Sequence, residues 1–226
     1  MPFKKAEGEA QAALQRGDQM HIADIDFVEF YAPAFPSAQE AKEFVQQVES
    51  KPGPTPARIA LHQGARMLWL ADRMDDIARG REALQILFYL VTAEAVAKIV
   101  FAFKAEGKSK HYVQRFFGEI CRNAHRDSLS RALGLLSMRD TPHFLTWNEV
   151  VDVLYDVRCD VVHEGQYYMF HLAMNSGLPE VVVSDQNYIA HITAAQLRQI
   201  VLEGVVEGVK KLIQGNATAA GGGASR

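Results

Sequence analysis

The chain is poor in cysteine and tryptophan and carries no strong charge of either sign. Its 226 residues hold two cysteines and two tryptophans, and 24 Lys+Arg against 27 Asp+Glu leave a net charge of −3. Two thiols on different expected helices, Cys121 and Cys159, exclude a disulfide scaffold and are read as reduced, buried residues. The slightly acidic balance lacks the basic footprint of a protein that grips a duplex through many phosphates, but leaves room for a local site that touches a few. There is no P-loop, dinucleotide fingerprint, zinc-finger spacing or nucleophile elbow, and no internal repeat. Met1-Pro2-Phe3-Lys4-Lys5 has no apolar run behind it, so no export signal is expected. The one long apolar run, Ala83 to Phe103, contains Gln85, Glu94 and Lys98. Each charge would cost roughly 2.5–3.5 kcal/mol at mid-bilayer, and Glu94 and Lys98 stand at i,i+4, a stabilising pair in water. This run is read as the central buried helix of a soluble, cytoplasmic protein with no membrane partner.

What is present is mostly helical pattern, so the expected class is mainly α. Residues 1–56 read as an N-terminal appendage ending in a Pro-rich linker, Lys51-Pro52-Gly53-Pro54-Thr55-Pro56, because three prolines in six residues cannot continue a helix. Within the appendage, Lys4 to Arg16 favours helix, Ile22 to Phe30 has the mixed pattern of a short strand, and Ser37-Ala38-Gln39-Glu40 is a capping box for a helix through about Val48. Residues 57–214 form the helical domain. Thr55 caps and Pro56 opens a helix to about Ile77, Arg79-Gly80-Arg81 turns, and the central helix runs to about Ala105, stopped by Gly107. Ser109 to Cys121 and Asp127 to Ser137 give two shorter amphipathic helices. Thr146-Trp147-Asn148-Glu149 caps another, which Gly165 ends. Tyr167 to Ala173 and Val181 to Ile192, rich in aromatic and β-branched residues, predict an inserted β-hairpin turning at Asn175 to Pro179. Thr193-Ala194-Ala195-Gln196 restarts a helix to about Gln214, and 215–226 read as a disordered tail.

The most informative stretch is Leu154-Tyr155-Asp156-Val157-Arg158-Cys159-Asp160-Val161-Val162-His163-Glu164-Gly165. An arginine and a histidine together can hold a phosphate and move a proton near neutral pH. Val150, Leu154, Val157 and Val161 make the core stripe of this helix, and Asp152, Asp156 and Asp160 make an acidic face. Arg158 and His163 are five residues apart, so roughly 140° separates them around the helix axis. One copy does not close both around one phosphate; a second copy across a two-fold axis supplies the missing half. His163 lies in the last turn, where the helix dipole and nearby Glu164 favour imidazolium. A purely structural reading stands beside this one: Arg158 pairs with an acid, and His163 caps the last carbonyls.

These residues resemble a known family. Arg158 to His163 fits the R-x4-H signature of HEPN domains, and Leu154-Tyr155-x-x-Arg158-x-x-x-Val162-His163-x-Gly165 is similar to the form found in Apea-like HEPN proteins. The upstream segment Leu87 to Val96, with Glu94 followed by Ala95, is similar to the family's apolar, glutamate-bearing helix. The resemblance covers about residues 57–214. It implies a HEPN-like helical bundle that forms a homodimer and acts as a metal-independent endoribonuclease, of toxin, defence or RNA-processing type, with no cofactor. Arg158 would offset charge on the phosphate, and His163 would serve attack by the ribose 2′-hydroxyl or protonation of the leaving oxygen, giving a 2′,3′-cyclic phosphate. Asp160 and Glu94 would support the pair. RNA, and a cognate antitoxin or regulatory partner, are the implied partners. Cys159 stands where the family often has a polar residue, and some HEPN domains serve only to bind a protein or nucleotide partner; that is the alternative.

Other constellations are open on residues alone. Cys159 and His163 at i,i+4 have the spacing of a thiolate–imidazole pair. Asp156, Asp160 and His163 share a face that suits a divalent metal. Lys108, Lys110, Arg115, Arg122, His125, Arg126 and Arg131 make the most basic segment, read either as an RNA-contacting surface or as solvated charge. Gly204 and Gly208 would permit close helix contact, and Trp69 and Trp147 are read as core anchors.

Overall fold

The computed structural model describes residues 25–77, 82–102, 107–135, 143–168, 170–173, 180–183 and 187–221. Among these the chain is mainly α, with eight α-helices and a small antiparallel sheet. The helices are α1 Phe27–Tyr31, α2 Ala38–Glu49, α3 Pro56–Ile77, α4 Glu82–Val100, α5 Ser109–Arg115, α6 Asn123–Leu129, α7 Trp147–Glu164 and α8 Ala194–Gly221. A 3₁₀ turn at Ala32–Ala34 follows α1, and a π-helical turn at Phe116–Ile120 follows α5.

Local hydrogen bonds set the helix starts where the sequence places them. The Ser37 hydroxyl accepts from Glu40 N at 3.2 Å, the Thr55 hydroxyl from Arg58 N at 3.2 Å, and the Thr193 hydroxyl from Gln196 N at 3.1 Å. At α7 the capping box is reciprocal, with Thr146 N donating to Glu149 at 2.8 Å. Each bond supplies a partner for a backbone N–H that the first helical turn leaves open. Gly165 ends α7 at φ 67°, left-handed backbone that costs glycine little.

The helix α4 is the one described helix long and apolar enough to cross a membrane. Here it is packed on α3, α5, α7 and α8, with Ile86, Tyr89, Leu90, Ala93, Val96 and Ala97 buried. Its continuous apolar surface is therefore matched by neighbours around it, as the sequence predicts for a central helix. It ends at Val100, short of the expected Ala105.

The helix α8 lies close because its small residues leave room. A Cβ on Gly204 would stand 2.4 Å from Phe116 Cζ, and one on Gly208 2.7 Å from Val96 Cγ1. The expected close contact at these two glycines is present.

Several expectations give way to long-range packing. Phe27–Tyr31 is helix, not strand: Asp26 caps it, accepting from Val28 N at 2.8 Å. Residues 25–49 are not set apart from the bundle. Tyr31 is wholly buried and donates its hydroxyl to Leu61 O at 2.7 Å, and Phe44, Val45 and Val48 join the same core. The Pro-rich break is thus a turn within one core. The helix expected over Asp127 to Ser137 stops at Leu129 and gives way to a strand. The strands β1 Leu133–Leu135, β2 His143–Phe144, β3 Glu180–Val183 and β4 Asn187–Ala190 stand in the order β2-β1-β4-β3. The expected hairpin of Tyr167 to Ala173 with Val181 to Ile192 is not the pairing formed: β3 pairs instead with β4, in the register Val181↔Ile189. Among the described residues of the expected first arm, Ala173 alone bridges, to Thr193. The physical reason is burial: Tyr188 and Ala190 face the core beside Leu133, and that face selects the pairing. The tail assigned to disorder from 215 extends α8 to Gly221. Lys4 to Arg16, Arg79-Gly80-Arg81 and the whole Asn175 to Pro179 turn lie outside the described residues.

Candidate functional site

The site is built where α7 crosses α4. Val150, Leu154 and Val157 are buried, and Val161 is partly buried against the core. That stripe fixes the rotation of α7 and turns Arg158 toward α4. There Arg158 Nη2 stands 3.7 Å from Glu94 Oε2, with the side chains 19 % and 12 % exposed. The guanidinium lies over the Tyr155 ring, 5.2 Å from its centroid, with a long contact from Nη1 to the Tyr155 hydroxyl at 3.5 Å. Arg158 Nε is buried without a hydrogen-bond partner.

Glu94 is the hub. Its Oε1 accepts from Lys98 Nζ at 2.5 Å and from Ser109 Oγ at 2.7 Å, while Oε2 faces Arg158. A carboxylate this far from water requires such partners, and here they come from three helices. Glu94, expected as a supporting residue, stands beside Arg158. Sequence reading missed Ser109 and Tyr155 as members of the cluster; the signal available for Tyr155 was its position three residues before Arg158 on one helix.

His163 is not brought into this cluster. It stands exposed in the last turn of α7 and makes no hydrogen bond or ion pair among the described residues. Its neighbours Val162, Tyr167 and Tyr168 are large, apolar and 50 %, 41 % and 54 % exposed. Asp160 is exposed one turn back, and its carbonyl accepts from the N–H groups of Gly165 and Gln166. Cys159 is a free, half-buried thiol. Among the described residues, no three His, Cys, Asp or Glu side chains cluster as a metal would need.

The acidic face is unevenly occupied. Asp152 pairs with Lys110 at 3.2 Å and accepts from Gln114 Nε2 at 2.9 Å. Partial burial holds the Asp156 carboxyl above the usual carboxylate range. Lys110 opposes that shift, and the charges of Asp152 and Asp160 add to it. A raised carboxyl contributes stability below its unfolded pKa and loses it as pH rises through the folded value. At neutral pH the charged form is thus disfavoured by the fold, and Asp156→Asn is expected to raise the melting temperature slightly at pH 7 and not at pH 3.5. Equal melting curves for the two proteins at pH 7 would contradict this.

The basic segment is largely committed to the protein itself. Arg115 pairs with Glu119 through two bonds at 2.6 and 3.0 Å, and Arg126 donates to the carbonyls of Gly118 and Cys121. Arg131 donates to Asp127 O at 3.2 Å. Arg122 and His125 both meet Glu203. Burial, then the Arg122 charge, holds the His125 imidazole below its usual value. A continuous RNA-contacting surface is therefore not what this segment forms. Of its seven residues, Lys108 alone has a side chain with no partner among the described residues.

No family model, curated protein or solved structure matches the chain.

Proposed function

We propose that the protein is a HEPN-like, metal-independent endoribonuclease, cytoplasmic, whose site is completed by two copies of the chain. The observation that carries this is the split of the motif: Arg158 is turned inward and held by Glu94 and Tyr155, while His163 stands exposed at the end of α7, where Val162, Tyr167 and Tyr168 are exposed as well. Exposed large apolar side chains clustered in one place mark a surface that another chain covers. A two-fold pairing of the α7 ends would place each histidine against a neighbouring copy. The ribose 2′-oxygen would then attack the adjacent phosphorus as the bond to the 5′-oxygen breaks. Histidine would take the 2′-hydroxyl proton or protonate the leaving 5′-oxygen, and arginine would offset the charge on the phosphate oxygens. The products would be a 2′,3′-cyclic phosphate and a 5′-hydroxyl.

A second reading is favoured by one observation: the Arg158 charge is already paired with Glu94 inside the protein. In that reading the chain is a catalytically silent HEPN module, and the exposed turn docks an antitoxin or regulatory partner. The two are separated by incubating mixed-sequence RNA with the protein in EDTA, beside the Arg158→Ala/His163→Ala double variant. Cleavage that persists in EDTA and falls at least a hundredfold, roughly the contribution of one general acid–base group, in the variant is the expected result. Equal background in both would remove the ribonuclease reading. Sedimentation should show a dimer that Tyr168→Asp disrupts; a strict monomer would remove the composite site.

A further inference from the structure

Beside the Arg158 cluster lies a second feature that the motif does not explain. Residues 107–111 and Tyr155 line an open groove of about 650 Å³, within the size range of small-ligand sites. Its wall is basic and well supplied with donors. Lys108 is exposed, and its side chain has no partner among the described residues. Lys110 spans from Asp152, at 3.2 Å, to a position 5.9 Å from the Tyr155 ring centroid. His111 is exposed at the rim. Asp152 and Asp156 offset part of the Lys110 charge, whereas the Glu94 carboxylate is already met by Lys98, Ser109 and Arg158. Gly107 lies in the wall at φ 80°, and among the described residues beyond its chain neighbours no heavy atom stands within 4 Å of where a Cβ would be.

We infer that this groove is a nucleotide subsite: Lys108 and Lys110 hold a phosphate, and the Tyr155 ring carries the base. A phosphate draws Lys110 from the half-exposed Asp152 pair, and the ammonium leaves the ring face for the base. Stacking on a tyrosine flanked by cations is tolerant of base identity, whereas two lysines recognise the phosphate as point charges. The ligand chemistry is that of a nucleoside phosphate, whether free or within an RNA strand. The inference deepens the ribonuclease reading by placing a substrate nucleotide next to Arg158, since Tyr155 touches both.

The test uses the full chain in the His163→Ala background, so that RNA stays intact. Binding of a labelled single-stranded oligoribonucleotide is followed by fluorescence polarisation at several salt concentrations, and binding of AMP and inorganic phosphate by calorimetry. Lys108→Glu is expected to weaken oligonucleotide binding by about tenfold or more and to reduce the salt slope by about one. Lys42→Glu, an exposed lysine on α2, should change neither. Tyr155→Leu should weaken binding by about tenfold, and Tyr155→Phe, which keeps the ring, should restore it. AMP binding points to free nucleotide, and oligonucleotide binding alone to an RNA strand; both support the subsite. Lys108→Glu behaving as Lys42→Glu, phosphate binding as tightly as AMP, or no binding of any probe at millimolar concentration overturns it. With His163 restored, a protein that binds through the groove yet leaves RNA uncut ends the ribonuclease reading and keeps this one. Cleavage unaffected by Lys108→Glu and Tyr155→Leu in that same His163 protein does the reverse.

Discussion

Gly204→Ala is expected to destabilise the protein by about 1–3 kcal/mol, the range for forcing an extra methyl into a packed core. Alanine normally gains up to about 1 kcal/mol over glycine inside a helix, so the sign alone is informative. The added Cβ would stand 2.4 Å from Phe116 Cζ and 2.8 Å from Cys121 Sγ, and both residues are buried in the main cluster. Phe116 sits on the π-helical turn and is fully enclosed, so the ring has no free rotamer to take and α8 must move instead. Gly204→Val should exceed the alanine effect and leave little folded protein. Gly215 is the internal control: it is exposed on the same helix with nothing near its Cβ position, and Gly215→Ala should stabilise by about 0.5–1 kcal/mol. Urea midpoints for the three variants decide the matter. If Gly204→Ala matched Gly215→Ala, the close approach of α8 to Phe116 would be refuted.

The second large effect is expected at Glu94. Replacing it by leucine leaves Arg158 and Lys98 facing each other across a largely buried space, with Arg158 Nε already unpartnered. Removing one member of a buried ion pair costs about 3–5 kcal/mol; because Lys98 reaches solvent, about 2–3 kcal/mol is expected here. Arg158→Leu in the Glu94→Leu background should recover much of that loss, since apolar residues of similar volume can replace a buried pair with little cost. The coupling between the two positions, read from a double-mutant cycle in urea, reports how far Arg158 is structural. Strong coupling with retained RNA cleavage at Arg158→Lys would show that the charge serves the fold. Weak coupling with lost cleavage would show an arginine kept for its ligand.

How much of this was legible beforehand depends on the range of the interactions. Ser37, Thr55, Thr146 and Thr193 each close a hydrogen bond to a residue three positions on, so their helices could be read from four letters. Gly165 and the Val150/Leu154/Val157 stripe are equally local. The cluster around Arg158 was half legible: Glu94 was named beside it, but Ser109 lies 15 residues from Glu94, and only folding shows that its hydroxyl points there. The strands were the poorest reading. Leu133–Leu135 is three residues long, too short for periodicity to speak, and Tyr188 and Ala190 choose their partners by a buried face that no local pattern contains.

The same division runs through the whole molecule. The sequence by itself determined a mainly helical chain, the starts of its main helices, a central apolar helix marked by Glu94 and Lys98, and one helix bearing Arg158 and His163 on different sides. These follow from backbone hydrogen bonds and from 3.6-residue periodicity, both confined to neighbours along the chain. Only the tertiary structure decided that residues 25–49 belong to the core, that Arg158 turns inward to Glu94 while His163 is left outside, and that Lys108 to His111 border a groove against Tyr155. Those depend on which apolar faces bury each other, a choice made by the chain as a whole through area removed from water.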